Sequence, residues 1–80
     1  MKSQAKFIIE DPSHIGEIRR AASSYCEDLE FDQTFCGKVA IVINELGSNV
    51  LKHAKVGEII LSVEDYALHI LCLDKGPGMG

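Results

Sequence analysis

Between Phe35 and Leu51 the chain sets apolar residues round well over half of a helix's circumference. Phe35, Val39, Val42, Leu46 and Val50 recur at three- and four-residue steps, and Ala40, Ile41, Ile43 and Leu51 widen the stripe past one face. A helix this apolar is expected to be mostly buried, lying across a sheet. Eighty residues allow one domain with one modest core. The remaining segments must therefore supply that sheet and whatever else covers it.

They have the periodicity to do so. Residues 5–10 are short and β-branched and read as a first strand. Asp11-Pro12-Ser13 is a helix-start signal: a capping residue followed by a proline suited to the first turn. Ile15, Ile18, Ala22, Cys26 and Leu29 then mark one face of an amphipathic helix. Residues 30–33 interrupt the stripe, with Asp32 placed to cap the apolar helix. Lys55-Val56-Gly57 ends that helix, with Gly57 as a left-handed cap. Residues 58–64 alternate, Asp65-Tyr66 makes a short connection, and residues 67–73 form a further strand, so the last two strands make an antiparallel hairpin. The order β-α-α-β-β predicts an α+β two-layer sandwich, helices on one face of a mostly antiparallel sheet.

Composition narrows the function. Net charge is −4, and the eight basic residues are scattered, which argues against a nucleic-acid-binding surface. No apolar run approaches the ~20 residues needed to span a bilayer, and residues 1–12 carry no signal-peptide pattern. Cys26, Cys36 and Cys72 form neither an even framework nor a C-x-x-C pair, and read as buried free thiols in a reducing cytoplasm.

Two polar interruptions stand out. On the apolar helix Glu45 and Asn49 are four residues apart and share a face with Ile41, continued by Lys52 and His53. Taken alone, the pair reads either as the solvated edge of a core helix or as oxygen ligands. In the second case Asn49 offers a neutral carbonyl to a hard cation such as Mg2+, and Glu45 orients or deprotonates a nucleophile beside a phosphate. Asp74 leaves an apolar strand into Lys75-Gly76-Pro77-Gly78-Met79. That is either a strand-ending turn or a buried carboxylate accepting the exocyclic amine of adenine, with Gly76 and Gly78 letting the backbone approach the ligand. No P-loop or G-x-G-x-x-G is present.

The Glu-x-x-x-Asn helix, then a hairpin, then Asp-x-Gly-x-Gly resembles the Bergerat-fold (GHKL, histidine kinase-like) ATPases. Within that superfamily residues 43–50 and 74–79 are most similar to the anti-sigma factor serine/threonine-protein kinase branch, RsbT- and SpoIIAB-like. The resemblance implies an ATP- and Mg2+-binding domain. Asn49 would bind magnesium, Glu45 would be the general base for a serine hydroxyl, Asp74 would read adenine, and Gly76 and Gly78 would be the first glycine box. Lys52 and His53 would lie near the nucleotide, or be a surface lysine and a partly buried histidine. The implied protein substrate is a STAS-type anti-sigma antagonist or another sigma-factor regulatory protein, without nucleic acid or membrane. Two other readings remain open: the nucleotide-binding N-terminal domain of a SpoIIE-like phosphatase regulator, and a non-catalytic interaction module.

The family's lid, second glycine motif and further strands are not among residues 1–80, so these are expected to be the N-terminal part of the domain, truncated after the first glycine box. They are expected to bind ATP weakly or not at all and to lack kinase activity. An unpaired sheet edge beside Leu71 and Leu73 makes a homodimer a further expectation.

Overall fold

The computed structural model describes residues 2–74, with side chains from Gln4 onward. The elements run β1 (Lys2–Ile9), α1 (Pro12–Asp28), α2 (Gln33–Asn49), a π-helical turn (Val50–Ala54), β2 (Gly57–Glu64) and β3 (Ala67–Asp74). The three strands form one sheet with β2 in the centre, and both pairings are antiparallel. The fold is α+β, with the helices on one face of the sheet, as the order of periodicities predicts.

Local chemistry sets the helix ends. Asp11 caps α1: its Oδ1 accepts from the Ser13 N–H at 2.8 Å and from the Ser13 hydroxyl. His14 completes the capping box, its Nδ1 accepting from the Asp11 N–H at 3.4 Å and from the Glu10 N–H at 2.9 Å. The Ser13 side-chain and backbone bonds, in that order, hold the Asp11 carboxyl below its usual value of 3.8. A carboxyl lowered on folding stabilises the protein above that value, and the contribution is lost as pH falls through the lowered folded-state value. The melting temperature of Asp11→Ala is therefore expected to lie below that of the parent at pH 5–7 and to converge with it at pH below about 3.8.

At its other end α1 closes in a Schellman motif. The Phe31 N–H donates to the Cys26 carbonyl and the Glu30 N–H to the Glu27 carbonyl, both at 3.1 Å. Glu30 occupies the left-handed position, φ 59°, where glycine is usual. Its side chain is exposed. Glu30→Gly is expected to raise stability by ~0.5–1 kcal/mol in urea denaturation, the relief of left-handed strain outweighing glycine's added freedom when unfolded. Asp32 then caps α2, accepting from the Phe35 N–H at 2.8 Å.

The core lies between the layers. Ile18, Ala22 and Cys26 of α1 and Val39, Ile43 and Gly47 of α2 are buried, together with Ile9, Val50, Ile59 and Leu61. Along β2 every second residue is buried, Gly57, Ile59, Leu61 and Val63 facing the helices. Gly47 permits the helices to approach, since a Cβ there would lie 2.7 Å from Ile15 Cγ1.

Three sequence expectations need correction. The apolar helix is not mostly buried: Phe35, Ile41 and Val42 are 45%, 58% and 41% exposed. One helix neighbour and a three-stranded sheet cover only a narrow stripe of α2. Gly57 is not a left-handed cap; no described glycine has positive φ, and Lys55 (φ 69°) takes the turn. Gly57 instead opens β2 where a Cβ would sit 2.6 Å from Val50 Cγ1 and 2.9 Å from the Leu73 carbonyl oxygen. Asp74, a buried carboxylate in the adenine reading and a turn residue in the other, is exposed at the end of β3, because that strand is a sheet edge among the described residues.

The hairpin between β2 and β3 turns on Asp65 and Tyr66, both left-handed (φ 53° and 62°), the backbone of a two-residue type I′ turn. The sheet face away from the helices carries Ile8, Leu71 and Leu73, respectively 56%, 52% and 40% exposed. Among the described residues no helix is long and apolar enough to cross a membrane.

Candidate functional site

Leu46 and Val50 are four residues apart, as are Asn49 and His53, so α2 and the π-helical turn carry the two pairs side by side. The turn is closed by the Lys55 N–H donating to the Val50 carbonyl at 2.7 Å. Across from them, β3 brings Cys72 and Asp74, two residues apart and therefore on the same face of the strand. Cys72 is opposite Ile59 and Asp74 opposite Gly57 in the register with β2, so both lie on the helix side of the sheet. These six residues line one cavity of about 400 Å³, within the size range of small-molecule sites.

A second, open groove of about 490 Å³ adjoins it. Val42, Asn44, Glu45, Leu46, Ser48 and Asn49 line it, and Leu46 and Asn49 belong to both. Asn44 is fixed from the neighbouring helix, its Oδ1 accepting from Arg19 Nη1 at 3.0 Å. The described residues thus bring Asn49, His53 and Asp74 to one cavity and attach Glu45 to it through Asn49. Lys52 is exposed and lines neither cavity, and His53 is exposed where partial burial was an alternative. Gly76 and Gly78 lie outside the described residues.

Electrostatics distinguish the polar members. Burial, and secondarily the charge of Asp74, push the Cys72 thiol above its ordinary value. Both effects favour the neutral thiol over the thiolate at this wall of the cavity. Cys26, in the core, is pushed up to about 12 by burial and by its neighbour Cys36. All three cysteines are free.

Among the described residues no three His, Cys, Asp or Glu side chains gather as a metal site. That donor set does not suit a protein-caged ion. Mg2+ carried by a phosphate substrate keeps most of its waters and needs only one or two protein oxygens plus phosphate oxygens. Asn49 exposes a neutral carboxamide in this groove, with Glu45 one turn away on the same face.

Cys72, Leu46 and Ser48 were missed as lining residues by sequence reasoning. Cys72 was accessible to it, since strand alternation puts it beside Asp74. Asn44 was not, because its anchor comes from Arg19, 25 residues away. Compared with protein-family models, curated proteins and solved structures, the chain matches none.

Proposed function

We propose that this chain carries the adenine and magnesium ends of a Mg-ATP site in a cytoplasmic serine/threonine protein kinase of the anti-sigma type. The observation that supports the reading is the shared cavity: Asn49 on α2 and Asp74 at the end of β3, 25 residues apart in sequence, line the same 400 Å³ space. In this reading the Asp74 carboxylate accepts the adenine amine N–H, which selects against guanine, whose corresponding group is a carbonyl and cannot donate. Leu46, Val50 and Cys72 supply apolar contact to the base. Asn49 gives a carbonyl oxygen to the magnesium that the phosphates carry. Glu45, reached along the adjoining groove, is the base that receives the proton of an attacking serine hydroxyl on a STAS-type partner.

Amide chemical-shift titration tests this directly. Mg-ATP is expected to move the resonances of Asn49, His53, Cys72 and Asp74 with weak affinity, and Mg-GTP at equal concentration to leave them in place. Glu45→Ala is expected to preserve the ATP-induced shifts and, in a form of the protein that phosphorylates its partner, to abolish the transfer. Equal responses to ATP and GTP would remove the adenine assignment.

A further inference from the structure

Among the described residues β3 is an open edge of the sheet, and its alternation decides which backbone groups face outward. The two residues flanking a two-residue type I′ turn exchange both backbone hydrogen bonds, here Glu64 and Ala67. Counting on from that pair, Ala67, His69, Leu71 and Leu73 bond inward to β2. Leu68, Ile70, Cys72 and Asp74 turn their N–H and C=O groups away from it, a row that templates pairing with another strand.

Proteins ordinarily protect such an edge with lysine, proline or a bulge. The other edge strand, β1, has Lys2 and Lys6 in its sequence. β3 has no lysine or proline, and its register with β2 runs unbroken from Ala67 to Asp74. Beside the outward groups, Leu71 and Leu73 are 52% and 40% exposed. The helix layer is open on the same side. Val42, one turn before Leu46 on the flank of α2 that meets Cys72 and Asp74, is 41% exposed. From this geometry we infer that β3 docks β3 of a second copy of this chain, antiparallel, about a two-fold axis at Leu71.

The strand is complementary to itself in that register. Antiparallel neighbours must set outward-bonding residues opposite one another. With the axis at Leu71, Leu68 stands opposite Asp74 of the second copy and Ile70 opposite Cys72, so every outward residue has an outward partner. Leu71 meets its own counterpart in a pair without hydrogen bonds, about 4.5 Å between Cα atoms, and Leu73 meets His69. No like charges are opposed, because Asp74 faces a leucine. Two three-stranded sheets become one, with both sets of helices on the same face. The assembly closes at two copies, since the edges that remain are the lysine-bearing β1 strands. A ladder over residues 68–74 is about 24 Å long. It covers roughly 1,000 Å² in total, the low end for a specific interface, so the dimer is expected to be reversible. The interface goes beyond the nucleotide reading and does not rest on it.

Sedimentation equilibrium of the full chain between about 10 and 500 μM tests the pairing. The mass is expected to rise with concentration toward twice that of the monomer and to stop there. Leu71→Lys sets two ammonium groups face to face at the axis and is expected to weaken association about tenfold. Leu71 is exposed, so this variant is expected to fold, with unchanged far-ultraviolet circular dichroism as the control. Leu71→Cys is expected to join two chains through a disulfide on exchange with oxidised glutathione, because its counterpart lies within disulfide reach. His69→Cys, opposite Leu73 and not itself, is expected to stay uncrosslinked. A chain that remains monomeric throughout leaves the edge to a different strand and would overturn the pairing. So would growth beyond the dimer, a Leu71→Lys protein that associates like the parent, or His69→Cys crosslinking as fully as Leu71→Cys.

Discussion

Leu61→Ala is expected to lower stability by about 2–5 kcal/mol, set against roughly 4–12 kcal/mol in total for a chain of this length. Leu61 is fully buried on the central strand, facing the helices, with Ala5 opposite on β1 and Ile70 opposite on β3. Truncation removes packing from both layers at once. The backbone around it is tied on both sides by the antiparallel ladder, so the cavity cannot collapse. Leu71 provides the contrast. It is one strand away on the opposite face of the sheet and 52% exposed, so Leu71→Ala should change stability by no more than about 0.5 kcal/mol. Urea denaturation of both variants measures the difference. Equal costs would mean that the helices cover the wrong face of the sheet.

Asp74→Asn carries the second large effect, on binding rather than stability. The exposed carboxylate makes no described contact that folding depends on, so the variant should melt with the parent. In the nucleotide reading it replaces an ionised acceptor with a carboxamide that presents both an acceptor and a donor. Hydrogen bonds to charged groups contribute about 1.5–3 kcal/mol, so Mg-ATP affinity is expected to fall roughly tenfold to a hundredfold. The response of Cys72 is a second readout, since removing the neighbouring charge lowers its thiol value toward the ordinary one. Faster alkylation of Cys72 in Asp74→Asn at pH 8–9 would report that change. An Asp74→Asn protein that binds Mg-ATP like the parent would sink the adenine assignment.

The parts of this fold legible in the sequence are those decided within a few residues. Asp11 and Asp32 announce the helix starts because a capping carboxylate satisfies backbone N–H groups two or three positions away. Alternation along residues 57–64 announces β2, since half of each strand must face the core. The burial of α2 was not legible. Its apolar residues far exceed the surface that α1 and three strands can cover, and periodicity does not reveal how much covering material exists. The role of Gly57 was equally hidden, because its constraint comes from Val50 and from the Leu73 carbonyl, sixteen residues further on. His14 as the partner in the capping box departs from the usual Glu or Gln at that position.

The candidate site divides along the same line. Glu45 and Asn49 share a helix face by spacing alone, and Cys72 and Asp74 share a strand face by alternation. That the two pairs adjoin is a tertiary fact, fixed by the β2–β3 register and by the way α2 crosses the sheet. Lys52, beside His53 in the π-helical turn, falls outside both cavities for the same reason: one residue's rotation takes it round to solvent.

Gly57 gives that junction a tolerance. It stands opposite Asp74 in the ladder and beneath Val50 of the π-helical turn, with room for a hydrogen atom and no more. The strand end bearing Asp74 and the turn following Asn49 are thus spaced by a single missing methyl group. Any larger residue there would act as a shim, lifting one jaw of the cavity from the other. A change at a position with no side chain to touch a ligand would in this way alter the grip on it.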